Sequence, residues 1–338
     1  MSPTHPDALI VCSRTSFELQ FDAAIQAKLA TVVQLGEPLW TDELDSPRAR
    51  ARLATAEILL TSWGAPSLSP ARLAAAPRLR AVFHCAGSVR ALVSDEVWRR
   101  DILITSAADV NAIPVAEFTL AAVIFAGKRV PYIATQARQF STGWGHIDGL
   151  GDLSNYGRTV GVVGFSRIGR RVVELLRVLD GTRCLVADPY ADADEVAAAG
   201  ARLLPLPAVV AAAEILSLHA PETAETRHLI GAEQLRALPD HATLINTARG
   251  SLVDTAALER ECATGRIHAI LDVTDPEPLP ADSVLYDLPN VMLTPHLAGS
   301  MGSEARRLVW RTIAELRGYL AGETPRTAVA AEHLRISA

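Results

Sequence analysis

The chain has 338 residues, 49% of them hydrophobic, enough for two packed domains without metal or disulfide staples. A formal charge of −6 with scattered arginines gives no electrostatic reason to bind nucleic acid. Cys12, Cys85, Cys184 and Cys262 form no C-x-x-C pair and have no histidine at ligand spacing, so no metal site is expected, and reduced thiols in a cytoplasmic protein are. The N-terminus has no basic region ahead of its short apolar stretch. The longest apolar run, Leu120 to Ala126, is fenced by Glu117 and Lys128-Arg129 and falls short of the ~20 residues of a membrane span, so a soluble protein is expected.

From the N-terminus, apolar runs alternate with amphipathic segments: ALIVC, a helical stretch near Ala23 to Leu29, EILLTS, a helix opened by Ser69-Pro70, then AVFH and ILIT. Serine as N-cap with proline at the first helical position is a helix start, and the alternation predicts βαβ units in a parallel sheet. Asn111 to Val130 breaks the rhythm: Pro114 is placed to start a helix that is apolar on nearly every face for about three turns, which must then be buried between domains or between subunits. Tyr132 to Arg158, with Trp144 inside it, reads as a loop connection. A second βα series follows: TVGVVGF, IGRRVVELLRVL, RCLVAD, EILSLHA, TLINTA, IHAILDV and VMLT. Its many alternations behind a glycine loop predict a doubly wound sheet. Ser303 to Leu320 reads as a long amphipathic helix that packs back on the first domain.

Gly164-Phe165-Ser166-Arg167-Ile168-Gly169 closes one strand and opens a helix. The spacing is that of G-x-G-x-x-G, with Ser166 at the middle glycine, where backbone approaches a pyrophosphate most closely. Alone, such a pattern is also an ordinary strand-helix turn. Asp188 ends the next strand near the ~20-residue separation of a ribose-binding acid, which accepts from the ribose hydroxyls and repels a 2′-phosphate. NAD is therefore the expected cofactor. Arg167 reads as a solvated side chain of the first turn rather than a phosphate reader.

Three further residues arrive at strand ends: Arg249 in NTARG, Glu277 in DVTDPEP and His296 in LTPHLAGS. A guanidinium can grip a carboxylate through two parallel hydrogen bonds and polarise a neighbouring carbonyl. Arg249 equally suits a helix cap or a bridge to Asp254. His296 precedes the small-residue turn Ala298-Gly299, yet His219 in SLHAPET is as plausible by position. Glu277 separates the two histidines, because a carboxylate in reach would hold the tautomer of one imidazole. Flanked by Pro276 and Pro278, Glu277 also reads as an exposed loop acid.

In order and spacing, TVGVVGFSRIGR, SLHAPETAETRHLIG, INTARGSLVD, LDVTDPEPLP and LTPHLAGS resemble the NAD-dependent D-2-hydroxyacid dehydrogenases, the group of phosphoglycerate dehydrogenase, D-lactate dehydrogenase and glyoxylate/hydroxypyruvate reductase. The likeness covers most of Asn111 to about Leu320. It implies an α/β protein with a Rossmann doubly wound NAD-binding domain over 113–300. A smaller flavodoxin-like substrate domain over 1–112 would be completed by the C-terminal helix within 301–338. It further implies Arg249 as carboxylate anchor, Glu277 as the orienting acid, His296 as acid/base, and backbone N–H groups of Ala86 and Gly87 on the substrate carboxylate. Gly164, Ser166, Arg167, Ile168, Gly169, Asp188, His219, Pro221, Thr247, Ala248, Asp272, Ala298 and Gly299 would surround NAD, with Asp272 on the carboxamide. NAIPVAE resembles the family's interdomain helix, which forms much of a homodimer contact, and Trp144 would reach the neighbour's active site. The implied reaction is hydride transfer between NAD(H) and C2 of a small 2-oxo or D-2-hydroxy acid. The alternative is an NAD(H)-sensing binding protein like the C-terminal-binding-protein corepressors, which keep the same three residues. The loop GSVRAL departs from the family's usual Gly-Val-Asp-Asn.

Overall fold

The computed structural model describes residues 5–143, 150–332 and 334; Trp144 lies outside them. The chain divides into two units, residues 1–112 with 300–338, and residues 113–299. The first begins with β1 (Asp7–Val11), α1 (Arg14–Gln20), α2 (Ala23–Ala30), β2 (Gln34–Thr41), α3 (Pro47–Leu53), β3 (Ile58–Thr61), α4 (Pro70–Ala74), β4 (Ala81–His84), α5 (Asp95–Arg99) and β5 (Leu103–Ser106). Its parallel strands are ordered β2-β1-β3-β4-β5, a flavodoxin-like arrangement. Strands β3 and β4 are buried throughout, which is why they read as unbroken apolar runs rather than alternating ones. Side chains of Ser13, Asp22, Ser46 and Ser69 cap α1 to α4 by accepting first-turn N–H groups.

The boundary at 112/113 falls inside α6 (Ala108–Gly127). Pro114 lies within this helix and not at its start, because Ala108 to Ile113 are already helical. By length and composition α6 could cross a bilayer; half of its apolar stretch is buried, with Ala116, Val123 and Ala126 among Val160, Val162 and Val172 as in a core helix. Burial is not complete on every face, and Phe125 stands 45% exposed. Where a loop was expected, α7 (Val130–Thr135) and a 3-10 turn over Ala137–Thr142 follow.

The second unit continues with β6 (Thr159–Val163), α8 (Arg167–Leu176), β7 (Arg183–Ala187), α9 (Ala193–Ala198), β8 (Arg202–Leu203), α10 (Leu206–Ala212), β9 (Ile215–Leu218), α11 (Ala232–Ala237), β10 (Thr243–Asn246), α12 (Thr255–Ala263), β11 (His268–Leu271) and β12 (Val291–Leu293). The parallel order β12-β11-β10-β9-β6-β7-β8 reverses between β6 and β9, the switch point at which doubly wound sheets bind ligands. Core residues lie on both of its faces. The last helix, α13 (Ser303–Leu320), belongs to the first unit, where Val309, Ile313 and Leu316 join Ile10, Ile58 and Phe83 in one core. All four cysteines are free and buried, and burial pushes each thiol up to about 12.

Candidate active site

Strand register gathers the chemistry-bearing residues of the second unit at one edge of its sheet. Asn246 of β10 is level with Leu271 of β11, which is level with Leu293 of β12. Arg249, Asp272 and His296 each follow within three residues, so they share the C-terminal edge of adjacent strands. Around the switch point, Val163 is level with Ala187 and with Leu218, so Gly164, Asp188 and His219 follow three neighbouring strands in the same way.

His296 Nδ1 lies 2.6 Å from Glu277 Oε1. An ionised carboxylate only accepts, so Nδ1 carries the proton and Nε2 is left to give or take one. The side chains are 50% and 43% exposed. An ion pair so open to water adds only about 0–1 kcal/mol to stability, so the contact chiefly orients the ring. His296 has φ +52, a left-handed conformation that a non-glycine residue adopts only when its surroundings impose it. Asp272 does so. Its backbone carbonyl accepts the His296 N–H at 2.9 Å. Its carboxylate, 2% exposed, accepts the N–H groups of Leu297 at 2.8 Å and Ala298 at 2.9 Å and the Thr294 hydroxyl at 2.7 Å. A cavity of about 620 Å³ opens beside the pair, lined among others by Asp272, Thr274, Glu277, Tyr286, Pro295 and His296.

Arg249 is partly buried and donates to the Ala248 carbonyl at 2.6 Å. Among the described residues it forms no ion pair, and Asp254 instead caps α12 through the Ala257 N–H. Its turn is bracketed by Asn246, whose amide donates to the Arg249 carbonyl at 2.8 Å and accepts from Ala248 N–H at 3.1 Å. Gly250 lets that turn sit against the next loop, since a Cβ there would lie 1.9 Å from the Thr274 backbone. Asn246 and Gly250 escaped the sequence reading. Their signal was an Asx residue at a strand end and a glycine behind an arginine, both of which also mark ordinary turns.

At the glycine turn, Gly164 has φ +95, and a Cβ would meet Ala220 N at 2.6 Å; at Gly169 it would lie 1.9 Å from the Gly164 carbonyl oxygen. Both are required for tight packing of α8 on the sheet. Ser166 is the N-cap of α8 in extended backbone, a conformation open to any residue, and its hydroxyl does not cap the helix. The first turn, with Arg167 exposed and Ile168 half-buried, therefore keeps its N–H groups for an external anion. Asp188 accepts from Phe165 N–H at 2.7 Å and Tyr190 N–H at 2.8 Å, one bond per oxygen, leaving acceptor capacity on each. An uncapped helix start beside a carboxylate with spare lone pairs fits a dinucleotide without a 2′-phosphate. Thr247 is tied to Thr119 at 3.0 Å, the Pro221 carbonyl accepts from Thr226, and Ala298 is buried.

His219 is not available as a rival acid. It is 2% exposed, its Nε2 is 2.8 Å from Ser217 Oγ, and burial lowers its pKa to about 3. It lies beneath the glycine turn, its Cβ 3.4 Å from where one would stand on Gly169.

In the first unit, β4 leads into Cys85-Ala86-Gly87-Ser88. Carbonyls of this loop are turned inward: Cys85 O accepts from Gln20 Nε2 at 3.2 Å, and Ala86 O accepts from Ala107 N–H at 2.9 Å. The N–H groups of Ala86 and Gly87 have no acceptor among the described residues. Gly87 is pressed against Asn111, whose Oδ1 accepts from Ser300 N–H. Val89, two residues beyond Gly87, is 2% exposed and part of a core.

Residues 120–298 match the family described as D-isomer specific 2-hydroxyacid dehydrogenase, NAD binding domain. D-3-phosphoglycerate dehydrogenase of Mycobacterium tuberculosis is 34% identical over 306 residues, 88% of this chain and 57% of that protein. Glyoxylate reductase of Korarchaeum cryptofilum is 34% identical over 265 residues, 78% and 79% of the two chains. The structure of D-lactate dehydrogenase from Aquifex aeolicus, complexed with NAD and lactic acid, has TM-score 0.72 at 25% identity and covers 94% of this chain and 96% of that one. The chain thus spans little more than half the length of the phosphoglycerate dehydrogenase. It belongs to the D-isomer specific 2-hydroxyacid dehydrogenase family, and its second unit carries that family's NAD-binding domain.

Proposed function

We propose that the protein transfers hydride between NAD(H) and C2 of a small 2-oxo or D-2-hydroxy acid. The observation that carries this reading is the 2.6 Å contact of His296 with Glu277 on a turn held by Asp272, at the same sheet edge as an arginine that makes no ion pair among the described residues. In the reductive direction, Arg249 supplies donors to the substrate carboxylate. NADH, when bound, supplies hydride to C2. His296 Nε2–H donates its proton to the carbonyl oxygen, and Glu277 stabilises the protonated ring and keeps Nε2 as the reacting nitrogen. The α8 N-terminus would hold the pyrophosphate and Asp188 the ribose hydroxyls, with Asp272 supporting the turn next to the carboxamide.

We assign the first unit to substrate binding and place the protein in the cytoplasm as a homodimer that covers the exposed face of α6 at Phe125. The deciding experiment is a panel of 2-oxo acids (glyoxylate, pyruvate and a 3-phosphorylated 2-oxo acid) with NADH oxidation followed by absorbance. Turnover of at least one member is expected; NADH binding without turnover of any would leave the binding-protein reading.

A further inference from the structure

We propose that Tyr190 is the adenine platform of the NAD site, an aromatic ring that the base of the cofactor stacks on and that Glu225 steers into place. The proposal rests on the placement of the adenosine ribose at Asp188. Strands β7 and β9 each pair with β6, on opposite sides of it. The loops that follow them therefore leave the sheet about two strand spacings apart, roughly 9 to 10 Å, and flank the glycine turn where β6 runs out into α8. Tyr190 belongs to the first of these loops and Glu225 to the second. The Tyr190 hydroxyl donates to Glu225 Oε2 at 3.5 Å, so the two side chains span the gap between the loops.

Both ends of this span are fixed at the backbone. Tyr190 N–H donates to Asp188 Oδ1 at 2.8 Å, so the carboxylate proposed to take the ribose hydroxyls also sets where the tyrosine leaves the chain. On the opposite side, Thr223 and Thr226 tie their loop reciprocally. Each backbone N–H donates to the other's hydroxyl, at 2.9 and 3.2 Å, and the Thr226 hydroxyl donates to the Pro221 carbonyl at 2.6 Å. The tyrosine ring itself is unpacked: Tyr190 is 71% exposed, and among the described residues no other ring or cation stacks on it. A ribose hydroxyl and the base it neighbours sit on one five-membered ring, so a side chain next to the hydroxyl acceptor stands next to the base. A planar purine stacks on an aromatic face, and a ring already biased toward the gap loses little freedom when it does. The long bond to Glu225 supplies the bias, and the face supplies the affinity.

Tyr190→Ala removes the stacking face, whereas Tyr190→Phe keeps it and breaks the bond to Glu225. At so exposed a position neither should change the melting temperature of the free protein. The probe is ADP-ribose, which carries adenine, both riboses and the pyrophosphate but no nicotinamide, titrated by calorimetry. Its Kd should rise about tenfold in Tyr190→Ala, within the usual scale of one base stacked on an aromatic ring, and stay within about threefold of wild type in Tyr190→Phe. Etheno-adenine ADP-ribose gives a signature that packing alone does not move: its fluorescence should be quenched on binding to wild type and Tyr190→Phe and stay bright on Tyr190→Ala. KM for NADH should rise in Tyr190→Ala more than kcat falls. Equal ADP-ribose affinity in wild type and Tyr190→Ala overturns the proposal alone, as does equal weakening in both variants, which would assign the effect to the hydroxyl. No ADP-ribose binding by the wild type overturns the placement of the ribose at Asp188, and the proposal with it.

Discussion

Asp272 holds His296 without touching its imidazole: the carbonyl of one takes the N–H of the other, and the carboxylate takes the next two N–H groups. The catalytic assignment thus depends on a buried acid one strand away from the ring it controls. Asp272→Ala should free the turn and let His296 leave its left-handed conformation. We expect kcat to fall at least tenfold with a lower melting temperature. Wild-type kcat in a folded Asp272→Ala would show that the turn needs no clamp.

The pairing of His296 with Glu277 predicts a separation of binding from chemistry. His296→Asn should bind NADH as the wild type does and lose on the order of 10²- to 10⁴-fold in rate, the usual scale for a general acid. Glu277→Gln should also keep NADH affinity while losing rate, because the amide neither compensates the imidazolium nor holds the tautomer as firmly. A folded His296→Asn that keeps the wild-type rate would be inconsistent with His296 as the proton donor.

The proposed placement of Asp188 on the ribose predicts a nucleotide preference set by charge. The wild type should prefer NADH, and Asp188→Ser should narrow the NADH to NADPH ratio of kcat/KM by removing the charge that repels a 2′-phosphate. The same substitution loses the bonds to Phe165 and Tyr190 N–H, so NADH affinity should drop as well. A wild-type preference for NADPH would refute the assignment.

Acid should destabilise the protein before most carboxylates titrate. His84 and His219 have ordinary values near 6.5 when unfolded and about 4 and 3 when folded, both lowered by burial. Below pH 6.5 the unfolded chain therefore binds more protons than the folded one. The stability these residues contribute is complete above about pH 6.5 and declines as the pH falls toward 4 and 3, by up to about 1.4 kcal/mol per pH unit for each. Urea midpoints of the wild type at pH 7 and pH 4.5 should differ by more than those of the double variant His84→Gln, His219→Gln. An equal pH dependence would mean that these rings do not govern the acid transition.

The second unit was the more legible half of the sequence, for a physical reason. Strands buried on both faces must be apolar throughout, so TVGVV, ILSL and HAIL announce themselves, and a turn that admits only glycine at Gly164 leaves a mark at a known spacing. β2 left none. As an edge strand it tolerates Pro38 and the charged or polar Gln34, Glu37 and Thr41, and its register against β1 shifts between Ala8 and Ile10. Of the proposed site, Arg249, Glu277 and His296 could be named because their residue types suit the proposed chemistry. Asn246 and Gly250 act on backbone, Asn246 within its own turn and Gly250 by close approach to Thr274, and an Asx residue or a glycine marks ordinary turns as well. Pro114 misled because its usual place at a helix start was outweighed by the burial of the helix around it.

The placement of α13 has a consequence for the order of events at the ribosome. Residues 113–299 form a unit from one uninterrupted stretch of chain, whereas the core around Ile10, Ile58 and Phe83 lacks Val309, Ile313 and Leu316 until translation has passed them. The part made first is therefore finished last. During synthesis an apolar sheet face waits uncovered while the later-made half can already fold. Truncation ahead of Ser303 would leave that face permanently bare, and the expected product is an aggregate rather than a shorter enzyme.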